Sequence, residues 1–134
     1  MDENLTRDAT ILLVDDNAIF REVTAEALLS LGYSVDSSAT LDEALASASR
    51  NPDAKLLITD IVMGNINGVE VALQVRLVRP GIKVLFCSGY PRTALERRGF
   101  DFAADEFLMK PISLGTLEPK IAALLANPDP APSV

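Results

Sequence analysis

Apolar residues along this chain fall into two alternating patterns. Short unbroken runs stand at Thr10-Ile11-Leu12-Leu13-Val14, Lys55-Leu56-Leu57-Ile58-Thr59 and Lys83-Val84-Leu85-Phe86-Cys87. Weaker runs are Ser34-Val35-Asp36-Ser37 and Glu106-Phe107-Leu108-Met109. Runs of this kind, without strict alternation, are what strands covered on both faces look like. The segments between them have helical spacing. Phe20, Val23, Ala27, Leu28 and Leu31 share one helical face, and Gly32 is placed to end it. Leu41, Ala44, Leu45 and Ala48 repeat the pattern, with Thr40 as N-cap and Glu43 completing a capping box. Val69, Ala72, Leu73 and Val75 form a third stripe, broken at Arg79-Pro80-Gly81. A shorter helix is expected from Pro91 to Arg98, ahead of Gly99. Ser113 is the cap expected for the last helix, whose face is Leu114, Leu117, Ile121, Leu124 and Leu125. Pro119 lies inside that span and is expected to delay the helix start or kink it. The order βαβαβαβαβα predicts an α/β domain, a parallel sheet with helices on both faces.

Composition narrows the function. A chain of 134 residues with 49% hydrophobic positions is sized for one well-filled core. Residues 1–8 are expected to be a flexible N-terminus, 9–126 the folded domain, and 127–134 a proline-rich disordered tail or linker. A single cysteine excludes an internal disulfide framework and suits a reducing compartment. The absence of histidine removes His-ligated zinc, a Ser-His-Asp triad and phosphohistidine chemistry within this chain. Nineteen acidic residues oppose twelve basic ones, a net charge of -7, which disfavours direct nucleic-acid binding. The first residues lack the basic and apolar regions of a secretory signal, and no apolar run is long enough to span a bilayer. The expected location is the cytoplasm, with no membrane partner.

In an open α/β sheet, ligands bind beyond the carboxyl ends of the strands at the topological switch point. Asp15 and Asp16 follow the first predicted strand, Asp60 the third, Ser88 the fourth and Lys110 the fifth. Each has an ordinary explanation taken singly: an N-cap for Asp15-Asp16, a turn for Asp60 and Ser88, a solvated charge for Lys110. Together they would place three carboxylates, a hydroxyl and an ammonium on one rim. Clustered carboxylates repel, and a hard divalent cation such as Mg²⁺ relieves the conflict through oxygen ligands. A metal with open positions would admit a phosphate, and a carboxylate beside it could act as nucleophile toward a phosphoryl group.

The chain resembles the receiver domain of two-component response regulators over about residues 9–126. The resemblance rests on Leu13-Val14-Asp15-Asp16-Asn17, Leu57-Ile58-Thr59-Asp60-Ile61-Val62-Met63 with Asn67-Gly68, Phe86-Cys87-Ser88-Gly89, and Phe107-Leu108-Met109-Lys110-Pro111. It implies a flavodoxin-like (βα)5 fold with strand order 2-1-3-4-5. It implies Asp60 as phosphoacceptor, Asp16 as direct Mg²⁺ ligand, Asp15 as its partner through water, and the Val62 backbone carbonyl as a further ligand. Lys110 would contact the phosphoryl group, the Lys110-Pro111 bond would be cis, and Ser88 and Phe107 would be the switch pair. Implied partners are a histidine kinase or histidine phosphotransfer protein as donor. An output protein would meet the face of the last two helices and last strand, and a phosphorylation-dependent homodimer is compatible with this. The stretch Leu85-Phe86-Cys87-Ser88-Gly89-Tyr90 is similar to receivers of hybrid histidine kinases.

Three departures stand out: serine where threonine is commoner at position 88, phenylalanine for tyrosine at 107, and Gly64 where proline is usual, which is expected to loosen that loop. Val62 and Tyr90 would flank the path of attacking water, and both suit exclusion more than orientation of water. Slow autodephosphorylation is expected. A small Mg²⁺-dependent phosphatase with an aspartate nucleophile is the alternative, but Asp60-Ile61-Val62 lacks the second acid of an Asp-x-Asp arrangement. A flavin module would want a phosphate loop where Asp15-Asp16-Asn17 would repel one.

Overall fold

A computed structural model describes residues 10–64, 66–100, 102 and 106–126. Five strands, β1 (Thr10–Val14), β2 (Ser34–Ser38), β3 (Ala54–Asp60), β4 (Lys83–Ser88) and β5 (Phe107–Met109), form one sheet in the order β2-β1-β3-β4-β5. Every neighbouring pair is parallel. The helices are α1 (Ala18–Ser30), α2 (Leu41–Arg50), α3 (Gly68–Val78), α4 (Arg92–Arg97) and α5 (Leu114–Ala126). Alternate strand residues divide the core in two. Leu12, Leu57, Val84 and Phe86 pack with Ala44, Val71 and Leu95 of α2, α3 and α4. Ile11, Leu13, Ile58 and Leu85 pack with Leu28, Leu117 and Ile121 of α1 and α5. Coverage on both sides explains why the strand sequences are apolar throughout.

The predicted ends hold in several places. Gly32 and Gly99 have φ of 99° and 94°, the left-handed conformation glycine tolerates just past a helix. Glu43 N–H donates to Thr40 Oγ1, and Glu43 Oε1 accepts from the Ala39 N–H, one residue before the cap. Other expectations need correction. Asp60 and Ser88 are the last residues of their strands and do not follow them. Val23 is 60% and Leu73 55% exposed, although both were expected on core faces. The buried stripes run through Thr24 and Leu28 in α1, and Val71, Ala72 and Val75 in α3, so each exposed residue lies one position, about 100°, off its stripe. Leu114, at the first turn of α5, is also half exposed. Pro119 does not delay α5, which begins at Leu114 and runs through it. The expected N-terminal segment and proline-rich tail lie outside the described residues.

Candidate functional site

The order β2-β1-β3 puts the topological switch at the carboxyl ends of β1 and β3, and four strand ends bring the expected residues there. Asp15 is fully buried. Its backbone N–H donates to Ser38 O at 3.1 Å, prolonging the β1–β2 ladder, and its Oδ1 accepts from the Asn17 N–H at 2.9 Å. Asn17, and neither Asp15 nor Asp16, caps α1: its side chain accepts from the Phe20 N–H. The capping explanation for the acidic pair is thereby removed. Asp16 is exposed, and its Oδ2 accepts from the Gly64 N–H at 3.0 Å. Proline at position 64 would have no N–H to give, so glycine ties this part of the loop to the site where a looser loop was expected.

Asp60 and Lys110 complete the centre. Asp60 Oδ1 accepts from the Ile61 N–H at 2.7 Å. Lys110 Nζ donates to Asp15 Oδ2 at 3.0 Å and to Asp60 Oδ2 at 3.2 Å. The lysine is aimed by its backbone, whose N–H donates to Ser88 O at 2.7 Å and so continues the pairing of β5 with β4. The Lys110–Pro111 bond is cis. Ser88 is buried, and its Oγ accepts from the Tyr90 N–H at 2.9 Å. Val62 lies in the loop after β3, where it forms an isolated antiparallel bridge with Asn67.

The electrostatics follow from this packing. Burial pushes the Asp60 carboxyl above its ordinary range and the Asp15 charge adds to it, while Lys110 opposes both. Burial works against the charge on Lys110, but Asp15 and Asp60 outweigh it and hold the ammonium above its ordinary value. Cys87, opposite Asp60 in the β3–β4 register, is buried so deeply that its thiol is pushed up to about 12, which makes it an inert packing group.

One oxygen from each of Asp15, Asp16 and Asp60 lies within 4.8 Å of the others. Oxygens sharing a Mg²⁺ sit about 3.0–4.2 Å apart at a bond length of about 2.1 Å, so a small contraction would close this set around the ion. An all-carboxylate donor set, partly buried and open on the Asp16 side, fits a hard divalent cation.

Residues 11–122 match the family of the response regulator receiver domain. The chain belongs to that family. It is 33% identical over 127 residues to the sensor kinase CckA of Brucella abortus, covering 94% of this chain and 13% of that protein. It is 35% identical over 121 residues to the response regulator MprA of Mycobacterium leprae, covering 90% of this chain and 52% of that one. This receiver domain therefore spans about half or less of these curated relatives. Among solved structures, it is similar to the receiver domain of the hybrid histidine kinase CckA, with TM-score 0.72, 33% identity, and 87% and 99% of the two chains covered. A CheY-like receiver from Methanospirillum hungatei JF-1 gives TM-score 0.76 at 30% identity, covering 88% and 94%. Among the described residues of this receiver domain, no helix is long and apolar enough to cross a membrane.

Two features of the receiver went unseen in the sequence. Phe107 is half-buried, and its ring stacks on Phe102 at 5.2 Å, which in turn lies 5.7 Å from Phe86. Arg92 covers Phe102 at 4.8 Å, and its Nη2 donates to the Phe102 carbonyl. The expected switch aromatic is thus one member of a chain of rings. An apolar groove of about 590 Å³ between α1 and the start of α5 is the second, with Phe20, Val23 and Leu117 on its walls and Lys110 at its edge. The signal for it in the sequence was a second apolar pair, Ile19 and Val23, four positions apart on α1, and both line the groove.

Proposed function

We propose that this receiver domain takes a phosphoryl group from a phosphohistidine of a histidine kinase or phosphotransfer protein onto Asp60. The observation that carries the reading is the ammonium of Lys110 bridging Asp15 and Asp60 at the base of a three-carboxylate cluster. In the transfer, an Asp60 carboxylate oxygen forms the new P–O bond as the P–N bond to the donor imidazole breaks. The imidazole leaves with the bonding pair and takes up a proton. Asp15, Asp16, Asp60 and the Val62 carbonyl would hold Mg²⁺, which when bound neutralises charge on the phosphoryl oxygens. Lys110 supplies a second positive charge to the same oxygens without moving far from its present position. Ser88 ends β4 one residue beyond Cys87, the register partner of Asp60, and would offer its hydroxyl to the acyl phosphate by giving up the local turn bond to Tyr90. A shift of Ser88 would move the segment leading into α4 and let Phe107 turn inward, carrying the Phe102 and Arg92 contacts with it. This would alter the surface of α4, β5 and α5 offered to an output protein. Action in the cytoplasm, where such donors work, belongs to the same reading.

Intact mass after incubation with acetyl phosphate and Mg²⁺ tests it. A single phosphoryl adduct is expected that requires Mg²⁺ and is missing in Asp60→Asn. An adduct that persists in Asp60→Asn would move the acceptor elsewhere, and turnover of small phosphate esters would favour the phosphatase alternative.

The adduct is expected to be long-lived. Val62 is half-buried and Tyr90 half exposed beneath Arg98, whose guanidinium lies 5.7 Å from the ring centroid. Neither side chain offers a carboxylate or amide to orient water toward phosphorus. Val62→Asn combined with Tyr90→Glu should speed loss of the adduct by about tenfold or more, short of the roughly hundredfold and upward that a fully positioned general base gives. An unchanged decay rate would remove these two residues from the account of lifetime.

A further inference from the structure

The Lys110 ammonium has a third neighbour besides its two carboxylates. The ring of Phe20 faces it, with Nζ 3.9 Å from the ring centroid. Phe20 is in the first turn of α1, and its backbone N–H is held by the Asn17 cap at 2.8 Å, so the ring is carried by a fixed stretch of main chain. On this side of the lysine lies the groove between α1 and α5, roomy enough to take a hydrated ammonium. A lysine stem has several rotatable bonds and a strongly hydrated head, so without a cover the head would exchange between carboxylates and groove.

Resting on the receiver reading above, we propose that Phe20 is a positioning residue for phosphoryl transfer, holding the Lys110 ammonium over Asp60 through a cation–π contact. The chemistry suits the task better than another acid would. A third carboxylate would compete with the phosphoryl oxygens for the ammonium and add charge to a crowded acidic site. The π face attracts the cation and excludes water from one side while leaving its charge uncompensated. Lys110 can therefore turn from the carboxylates to an incoming phosphoryl oxygen while remaining against the ring.

The test uses the full chain and acetyl phosphate with saturating Mg²⁺, with the adduct followed by intact mass. Phe20→Leu, which keeps apolar bulk, should slow phosphorylation about fivefold to tenfold, and Phe20→Trp should stay within about twofold of the parent. Fluorinated phenylalanines at position 20 separate positioning from packing, because they drain the π face with little change in shape. One, two and three fluorines should lower the rate in graded steps toward the leucine value. In the unmodified protein the Lys110 ε-methylene protons should resonate upfield through the ring current of Phe20. A flat fluorine series, with the parent phosphorylated normally, would overturn the role of Phe20 alone. ε-Methylene shifts at their free-lysine position would do the same. Failure of the parent and all variants to take up phosphate would sink the receiver reading and this proposal with it.

Discussion

Replacing Lys110 with methionine should slow uptake of phosphate from acetyl phosphate by about a hundredfold or more. The same change should destabilise the metal-free protein by about 3 kcal/mol. Methionine fills a similar stem volume, so the loss isolates the ammonium. That ammonium is the counter-charge for Asp15, which is fully buried, and for Asp60, which is nearly so; the lysine side chain itself is only 19% exposed. Removing one member of such a set leaves uncompensated carboxylates in a place with little water.

The pH dependence has a definite sign. Asp60 titrates above its ordinary value of 3.8 in the folded protein, so the folded state holds its proton more tightly than the unfolded chain. Its ionisation costs stability, and that cost grows as pH rises from 3.8 through the raised value. Without Lys110 the value rises further, so the gap between variant and parent should widen with pH across the acidic range. Lys110 itself titrates above 10.5 when folded, so its stabilisation of the parent is complete below 10.5 and fades as pH climbs through the raised value. Urea melts at a series of pH values, with and without Mg²⁺, measure all of this. Mg²⁺ should narrow the gap by serving the same carboxylates. A gap that is constant with pH would mean that the lysine stabilises by packing alone.

Gly68→Ala should destabilise the domain about as much as loss of the lysine, although it adds one methyl group. A Cβ at position 68 would stand 1.8 Å from the Asp60 carbonyl oxygen and 2.8 Å from its carbonyl carbon, both backbone atoms. The Gly68 N–H also donates to Ile61 O at 2.7 Å, holding the start of α3 against the end of β3. No side-chain rotation relieves a clash between two main chains, so α3 must move away or Asp60 must. The expected cost is about 3 kcal/mol, or roughly 12 °C in Tm for a domain of this size. Mg²⁺-dependent phosphorylation of the folded fraction should fall as well, since Asp60 sits on the displaced segment. Gly115→Ala is the control. A Cβ there meets only Ser113 Oγ at 3.8 Å, and alanine favours the helix, so stability should hold or rise by up to about 1 kcal/mol. Equal melting of Gly68→Ala and the parent would show that the β3–α3 junction yields at little cost.

The sequence on its own determined the order of the elements, the parallel sheet and the rim of Asp15, Asp16, Asp60, Ser88 and Lys110. These rest on local signals: apolar runs of strand length, helical spacing, the cap at Thr40, and polar residues at strand ends. Such signals survive folding because each describes neighbours in the chain. The tertiary structure decided which way the marginal residues faced. Val23 and Leu73 are as apolar as the buried Leu28 and Val75 of the same helices, and only the position of the sheet against α1 and α3 turned them out. It also decided that Gly68 could be nothing larger, because the atoms it would strike belong to Asp60, eight positions earlier in the chain. Phe20 and Lys110 meet across ninety residues, and no periodicity of either segment announces a ring above an ammonium. Spacing along the chain can name the charged groups of such a site. What surrounds them and holds them depends on how distant segments pack, and that is fixed only when the sheet and its helices come together.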